Sequence, residues 1–302
     1  MDFKIFSQKT VEHIDKELKR LLKEWRNGVG KTSGSLLPLV DKFIKACKGG
    51  KRIRGTLVVL GYEIAKESSA ISYQQSDKDK KSLKADSEAT PKAGEAILTA
   101  ESSIIKIAAA YEIFHAAILA HDDIIDQSPK RRGQPSLYKR VGVEQAITLA
   151  DAGFFLAIKI ITESNFEDKL KNQALRFFSQ TMLDTAIGQM LDVAHADPKL
   201  TAKLKTARYT ISGPLKLGAI LAGAGPTSPR LRGIKEFGEN AGIAFQIRDD
   251  ILDGEVESVD KAEAKALKYA FRAKRVIPKI TSDAKMRKLF SEMVQYMVER
   301  EK

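Results

Sequence analysis

Two copies of one acidic pattern, Asp-Asp-x-x-Asp, mark this chain: Asp122, Asp123 and Asp126, then Asp249, Asp250 and Asp253. Both lie in apolar segments that read as helices, residues 104–125 and 241–252. At about 3.6 residues per turn, the first and last Asp of each copy fall one turn apart on one face, with the middle Asp beside the first. Each copy is a compact carboxylate cluster, repulsive while unpaired and costly to bury. All-oxygen ligation by carboxylates favours magnesium, which keeps waters and takes phosphate oxygens as its other ligands. Two such clusters facing each other would form a magnesium-diphosphate clamp. The bland alternative, a pair of solvated acidic helix ends, leaves the apolar flanks Ile118-Leu119-Ala120 and Ala244-Phe245 unexplained.

The neighbouring motifs supply the opposite charge. In Gly49-Gly50-Lys51-Arg52-Ile53-Arg54, Lys51 and Arg54 stand three apart on one helical face just after two glycines. Backbone amides and a helix N-terminus favour an anion there, so the motif reads as a diphosphate seat. Past the first acidic cluster, Arg131-Arg132-Gly133-Gln134-Pro135 sets two adjacent guanidiniums on a loop braked by Gly and Pro, and the planar fork of Arg suits phosphate. His115 stands seven residues before Asp122, two turns along the same face. A lone helical His is more often structural, but alignment with the acidic face turns the reading toward function.

The elements that must position these groups are helices. With 302 residues, 43% of them hydrophobic, the chain can build one large core. Apolar spacing at three and four recurs in 11–25, 36–46, 97–125, 143–161, 170–191 and 237–252, and an Ala- and Lys-rich helix is expected over 260–276. For most of these stripes core packing is the whole explanation. No alternating strand pattern competes, so the expected fold is all-α in a single domain spanning 1–302. Residues 66–91 are polar, charged and nearly free of large apolar side chains, and read as a flexible loop inserted between core helices.

One cysteine, Cys47, excludes an internal disulfide and fits a reducing cytoplasm. The first residues show no long apolar region or cleavage site, and no run of eighteen apolar residues occurs. The net charge of +12 suits anionic substrates and, at most, peripheral contact with an anionic membrane surface; solvated lysine faces account for most of it. A nucleic-acid binder is the poorer reading, because paired aspartate clusters repel phosphates without metal.

Taken together, GGKRIR at 49–54, EIFHAAILAHDDIID at 112–126, RRGQP at 131–135, GQMLD at 188–192, KTARYTISGPLKLGA at 205–219 and AFQIRDDILD at 244–253 resemble, in order, the motifs of the trans-isoprenyl diphosphate synthases (polyprenyl synthetase family), close to geranylgeranyl diphosphate synthases. The resemblance covers about two thirds of the chain and implies an isoprenoid-synthase-type helical bundle around a central cavity. It implies that Asp122 and Asp126 hold two Mg²⁺ ions and Asp249 a third, with Asp123, Asp250 and Asp253 in support. Gly50, Lys51, Arg54, His115 and Arg132 match the family's isopentenyl diphosphate site. Arg131, Lys205, Thr206 and Gln246 match the groups that hold the allylic diphosphate, and Gln189 and Asp192 line the same cavity. A homodimer is also implied.

The chemistry agrees with these residue types. An allylic diphosphate ionises to a delocalised cation once its leaving group is neutralised by metal, Arg131 and Lys205. The double bond of isopentenyl diphosphate attacks that cation, and loss of a proton leaves a chain five carbons longer.

After Gly254 the chain departs from the family: it passes directly into the Ala- and Lys-rich helix, without the usual Gly-Lys loop and the further lysine, for which Lys261 and Lys265 are the available substitutes. The alternatives are a longer-chain synthase, a non-catalytic regulatory homologue, and a class I terpene cyclase, against which DDILD and the intact GGKRIR argue. For product length, Ala117 and Ile118, about one turn below Asp122, offer no aromatic floor, and Phe154 or Phe155 closes the cavity further down. Geranylgeranyl diphosphate is the first expectation and a longer product the second.

Overall fold

The computed structural model describes residues 2–79 and 93–299, with side chains described throughout except at 67–79, 93–101, 198–199, 202–203 and 205–207. The helices are α1 (Phe3–Thr32), α2 (Leu37–Ala46), α3 (Ile53–Asp79), α4 (Ala93–Ile125), α5 (Leu137–Val141), α6 (Val143–Thr162), α7 (Asp168–Val193), α8 (Pro198–Thr201), α9 (Gly213–Leu221), α10 (Pro229–Asp253), α11 (Val259–Ile280) and α12 (Ala284–Glu299), with a π-helical segment over Ala202–Ser212. Among the described residues the only strand pairing joins β1 (Lys130–Arg131) to β2 (Gln134–Pro135), antiparallel, with Arg131 opposite Gln134. The fold is all-α, as the apolar spacing requires.

One expected element differs. Helix α3 runs to Asp79, where a loop was expected from Lys66 on, and residues 80–92 lie outside the described residues. The reason is local: 66–79 is polar, with serine its commonest residue, but no Gly or Pro interrupts it, so nothing stops the helix that begins at Ile53.

The chain divides into two compact units. Unit I comprises Met1–Lys9, Leu57–Ile97 and Phe166–Lys302; unit II comprises Thr10–Thr56 and Leu98–Asn165. In unit II the core draws Ile14 and Leu18 from α1, Phe43 from α2, Ile107, Tyr111 and Ala117 from α4, and Ala150 and Ile161 from α6, all buried. In unit I, α10 packs on α11, the π segment and α12, and Phe237 meets Phe290 edge-on at 5.1 Å. There α3 and α9 meet backbone to backbone: a Cβ on Gly61 would run into the Leu215 carbonyl, and one on Gly218 into the Val58 carbonyl.

Helix ends are fixed where the chemistry needs them. Ser228 caps α10 by accepting from Leu231 N at 3.3 Å, with Pro229 next in line. At the other end Gly254 takes the left-handed conformation and Glu255 N donates to Asp250 O at 2.9 Å, stopping the helix directly after Asp253.

By length and composition two helical stretches, Ser102–Ile125 and Val143–Thr162, could cross a membrane, although neither is an unbroken apolar run. The apolar window of the first is 72% buried within the protein and that of the second 39%, and core helices meet the same test.

The α3–α9 contact yields a stability prediction. Gly218→Ala should lower unfolding free energy by about 1–3 kcal/mol, the cost of overpacking against backbone that cannot retreat. Urea unfolding with an unchanged slope and an unchanged midpoint would show that the two helices can part freely.

Candidate active site

In unit II the basic seat is built around the turn that joins α2 to α3. Gly49 and Gly50 have φ of +75° and +91°, and the Arg132 side chain lies over them. It donates from Nη1 to Lys48 O at 2.9 Å and to Gly49 O at 3.0 Å. A Cβ on Gly50 would stand 2.6 Å from Arg132 Nη2, so only glycine leaves room for the guanidinium. Lys51 is exposed beside this turn, and Arg54 is half-buried one helical step further on. Arg54 Nη1 stands 3.1 Å from His115 Nε2. Burial, and then the neighbouring Arg54, Arg132 and Arg131, hold the His115 pKa well below its usual value. His115 is therefore neutral near pH 7 and accepts from Arg54.

The residue that anchors the seat is one the motif reading passed over. Arg52 is buried at the centre of GGKRIR with φ +47°. It donates to Asp15 Oδ1 at 2.8 Å and to Cys47 O at 2.9 Å, and stands 3.7 Å from Glu112 Oε2. Glu112, also buried, accepts from Gly55 N at 2.8 Å. This pair ties the start of α3 to α4, which also carries His115 and the first aspartates. A Glu inside the apolar run 104–120 was the available signal. The Cys47 thiol, buried beside it, is pushed up to about 12 by burial and is unreactive.

The first acidic motif closes α4. Asp122 is half-buried and Asp126 exposed, and Asp126 N donates to Asp122 O at 2.8 Å. Asp123 is 2% exposed, and its Oδ1 accepts from Arg131 Nε and Nη2 at 2.8 and 2.5 Å. The middle aspartate thus holds Arg131 in place. RRGQP, expected as a loop, is a hairpin whose two turn residues, Arg132 (φ +52°) and Gly133 (φ +72°), both adopt positive φ, the geometry that suits the twist of paired strands.

In unit I the second motif closes α10. Asp249 and Asp250 are half-buried and Asp253 is exposed. Gln246 Nε2 donates to Asp250 Oδ1 at 2.7 Å. On α7, Gln189 is half-buried and its Nε2 atom is buried with no hydrogen-bond partner among the described residues; Asp192 is half-buried one turn on. Lys205 and Thr206 belong to the π segment, a widened helix that often marks functional positions, and their side chains lie outside the described residues. The segment is tied to α7 by an ion pair of Arg208 with Asp184. Lys261 and Lys265 are exposed on α11.

Both acidic motifs therefore sit at helix C-termini, where the helix dipole is already negative, and neither last turn contains a basic residue. Such a donor set suits a divalent cation. Among the described residues no three His, Cys, Asp or Glu side chains form a metal cage. Magnesium held through one or two carboxylates and substrate phosphates needs none.

Two expectations about the apolar floor change. Ala117 is wholly buried in the core of unit II, so nothing can pass its side chain, whereas Ile118 is only half-buried. Phe155 is 71% exposed and closes nothing within the chain. Phe154 instead packs on Phe114, ring centroids 4.6 Å apart, one turn below Ile118.

A profile of the polyprenyl synthetase family matches residues 38–268. A geranylfarnesyl diphosphate synthase of Aeropyrum pernix is 37% identical over 166 residues, 51% of this chain and 51% of that protein. A geranylgeranyl diphosphate synthase of Sulfolobus acidocaldarius is 32% identical over 155 residues, 48% of this chain and 46% of that protein. The chain spans about half the length of the curated relatives it matches. The crystal structure of a geranylgeranyl pyrophosphate synthase from Corynebacterium glutamicum, complexed with isoprenyl diphosphate and magnesium, shares the fold with a TM-score of 0.79 over 100% of both chains at 20% identity.

Two measurements follow from the seat. Glu112→Ala should lower stability by about 3 kcal/mol, because it leaves a buried guanidinium short of a partner, while Glu112→Gln, which keeps an acceptor for Gly55 N, should cost less; equal urea midpoints for wild type and Glu112→Ala would contradict the anchor. Because His115 binds its proton less readily folded than unfolded, stability should fall as pH drops through about 6.5. His115→Gln should remove that part of the pH dependence, and identical profiles for the two proteins would contradict a neutral His115.

Proposed function

Because the chain belongs to the polyprenyl synthetase family, we propose that it condenses isopentenyl diphosphate with an allylic diphosphate to give a trans-polyprenyl diphosphate, geranylgeranyl diphosphate first among the candidate products. The observation that carries this reading is the basic seat of unit II, where Arg54 and Arg132 are fixed around the Gly49–Gly50 turn by a neutral histidine and backbone carbonyls. Cations held this closely call for an anion: burial first, and then Arg52 and Arg131, depress the Arg132 pKa.

In this proposal Lys51, Arg54 and Arg132 bind the diphosphate of isopentenyl diphosphate. His115, being neutral, sets the angle of Arg54 without adding charge. Asp123 orients Arg131, whose remaining N–H groups are donors to the allylic diphosphate, and Lys205, Thr206 and Gln246 serve the same group. Asp122, Asp126 and Asp249 would hold magnesium, three ions in all, which would supply the positive charge that lets the diphosphate leave. The allylic C–O bond breaks with its electron pair going to the diphosphate, the isopentenyl double bond attacks the allylic carbon, and the released diphosphate takes the neighbouring C–H proton.

Product length follows from α4 and α6. The Ile118 position carries no aromatic ring, and the Phe114–Phe154 pair one turn further on serves as the floor. This supports a product longer than fifteen carbons. The apolar face that α6 exposes with Val143, Ile147 and Phe155 supports a homodimer, with a cytoplasmic location and at most peripheral contact with membrane.

Incubation with magnesium, isopentenyl diphosphate and each allylic diphosphate, followed by lipid identification, tests the reading. Chelation or Asp122→Ala should lower kcat by orders of magnitude, since a lost metal ligand removes several kcal/mol of transition-state stabilisation. Arg54→Ala should raise KM mainly for isopentenyl diphosphate, and Lys205→Ala should chiefly slow ionisation. Full activity in excess chelator, or no product from any primer, would sink the proposal. Ile118→Tyr should shorten the product and Phe114→Ala lengthen it; an unchanged product from both active variants would reject the floor.

A further inference from the structure

Unit II contains a second basic pocket, from which the proposed reaction draws only Arg131 and Arg132, with Asp123 that orients Arg131. It opens between the end of α2, the β1–β2 hairpin and α5, and encloses about 90 Å³. Lys45, Lys48, Arg131, Arg132 and Arg140 line it, with Ser136. None of Lys51, Arg54, His115, Asp122 or Asp126 does. The one acid on its wall, Asp123, is already matched by Arg131.

Two polar groups there have no partner among the described residues. Ser136 is 1% exposed, and it precedes α5 at the position where a serine normally accepts from a backbone amide. It makes no such bond, and its Oγ is buried and unsatisfied. Arg140 Nε is buried and unsatisfied as well. Buried polar groups in native proteins are nearly always hydrogen-bonded, and those that are not call for an occupant. With Arg131 matched to Asp123, the four remaining cations, Lys45, Lys48, Arg132 and Arg140, fix its charge as positive.

We propose that this pocket is an oxyanion site separate from the isopentenyl seat, receiving one phosphoryl group with Ser136 Oγ, Arg140 and the Lys45 and Lys48 ammoniums as donors. Ordinary small-molecule sites enclose roughly 300–1,000 Å³, so this volume fits a phosphoryl group and not a prenyl chain. The group has two sources: free phosphate, or one end of the inorganic diphosphate that the proposed reaction releases. The second source rests on that reading, and the site itself does not. Arg131 and Arg132 line the pocket while also serving the substrate diphosphates in that reading, so an occupant competes for their donors.

The test is calorimetric titration of the full chain with inorganic phosphate and, separately, inorganic diphosphate, without magnesium. Wild type and Lys51→Ala should bind phosphate alike. Arg140→Gln should weaken binding by about tenfold or more, as expected for loss of a charged donor, and Ser136→Ala by a smaller factor. Ser136→Ala removes one oxygen and keeps the fold, so it decides the matter if Arg140→Gln unfolds. If phosphate binds as in wild type to both Ser136→Ala and Arg140→Gln, or is lost only in Lys51→Ala, the anion sits in the substrate seat and the proposal fails. Diphosphate that competes with phosphate, and is weakened by Arg140→Gln, supports the site and identifies the second source; phosphate binding that diphosphate leaves untouched supports it with free phosphate as occupant.

Discussion

Carboxylates placed at the wrong end of a helix are the constraint on which the rest of the molecule turns. A helix C-terminus prefers cations, by about 0.3–1 kcal/mol per charge at the surface, yet α4 and α10 each end in an Asp-Asp-x-x-Asp motif without a basic residue in the last turn. Neither end is frayed. Gly254 terminates α10 with a left-handed cap, and the α4 terminus is held by the Asp126 N to Asp122 O bond and by Ser128 N donating to Asp123 O at 2.9 Å. The fold therefore keeps like charges together at two helix ends, the arrangement that the proposed magnesium sites would use.

The basic seat is organised by the same logic with the sign reversed. Arg52, Arg54, Arg131 and Arg132 crowd one end of unit II, and each is held by a different device: Arg52 by Asp15 and Glu112, Arg54 by a neutral histidine, Arg131 by Asp123 and Arg132 by backbone carbonyls. Arg52 and Arg131 are answered by carboxylates. The net positive charge that remains is what an anionic substrate meets, and fixing the guanidiniums in advance removes the reorganisation that binding would otherwise require.

Much of this was legible in the chain. The long helices announce themselves by apolar spacing, and the aspartate pairs, GGKRIR and RRGQP by residue type and distance. What escaped is instructive. Arg52 was passed over beside Lys51 and Arg54, and burial shows it turned inward toward Glu112, because spacing along the chain does not say which of the motif's three cations turns inward. Ala117 and Ile118 are neighbours in sequence but lie on different faces of α4, and only packing shows that the first is core. The polar stretch after Lys66 reads as loop by composition, whereas α3 continues through its described part, to Asp79, because no Gly or Pro interrupts 66–79. The turn at Arg132–Gly133 depends on a positive φ at arginine, which no sequence pattern announces.

The claim that the acidic helix ends are held in readiness for metal is tested most directly by the stability of Asp126→Asn, with and without magnesium and inorganic diphosphate. Without ligands the variant should be more stable than wild type, by about 0.3–1 kcal/mol in urea unfolding, because one unfavourable charge has left the α4 terminus. Adding magnesium and diphosphate together should stabilise wild type and stabilise the variant much less. A variant that is less stable without ligands, and that gains as much from them as wild type, would contradict the account.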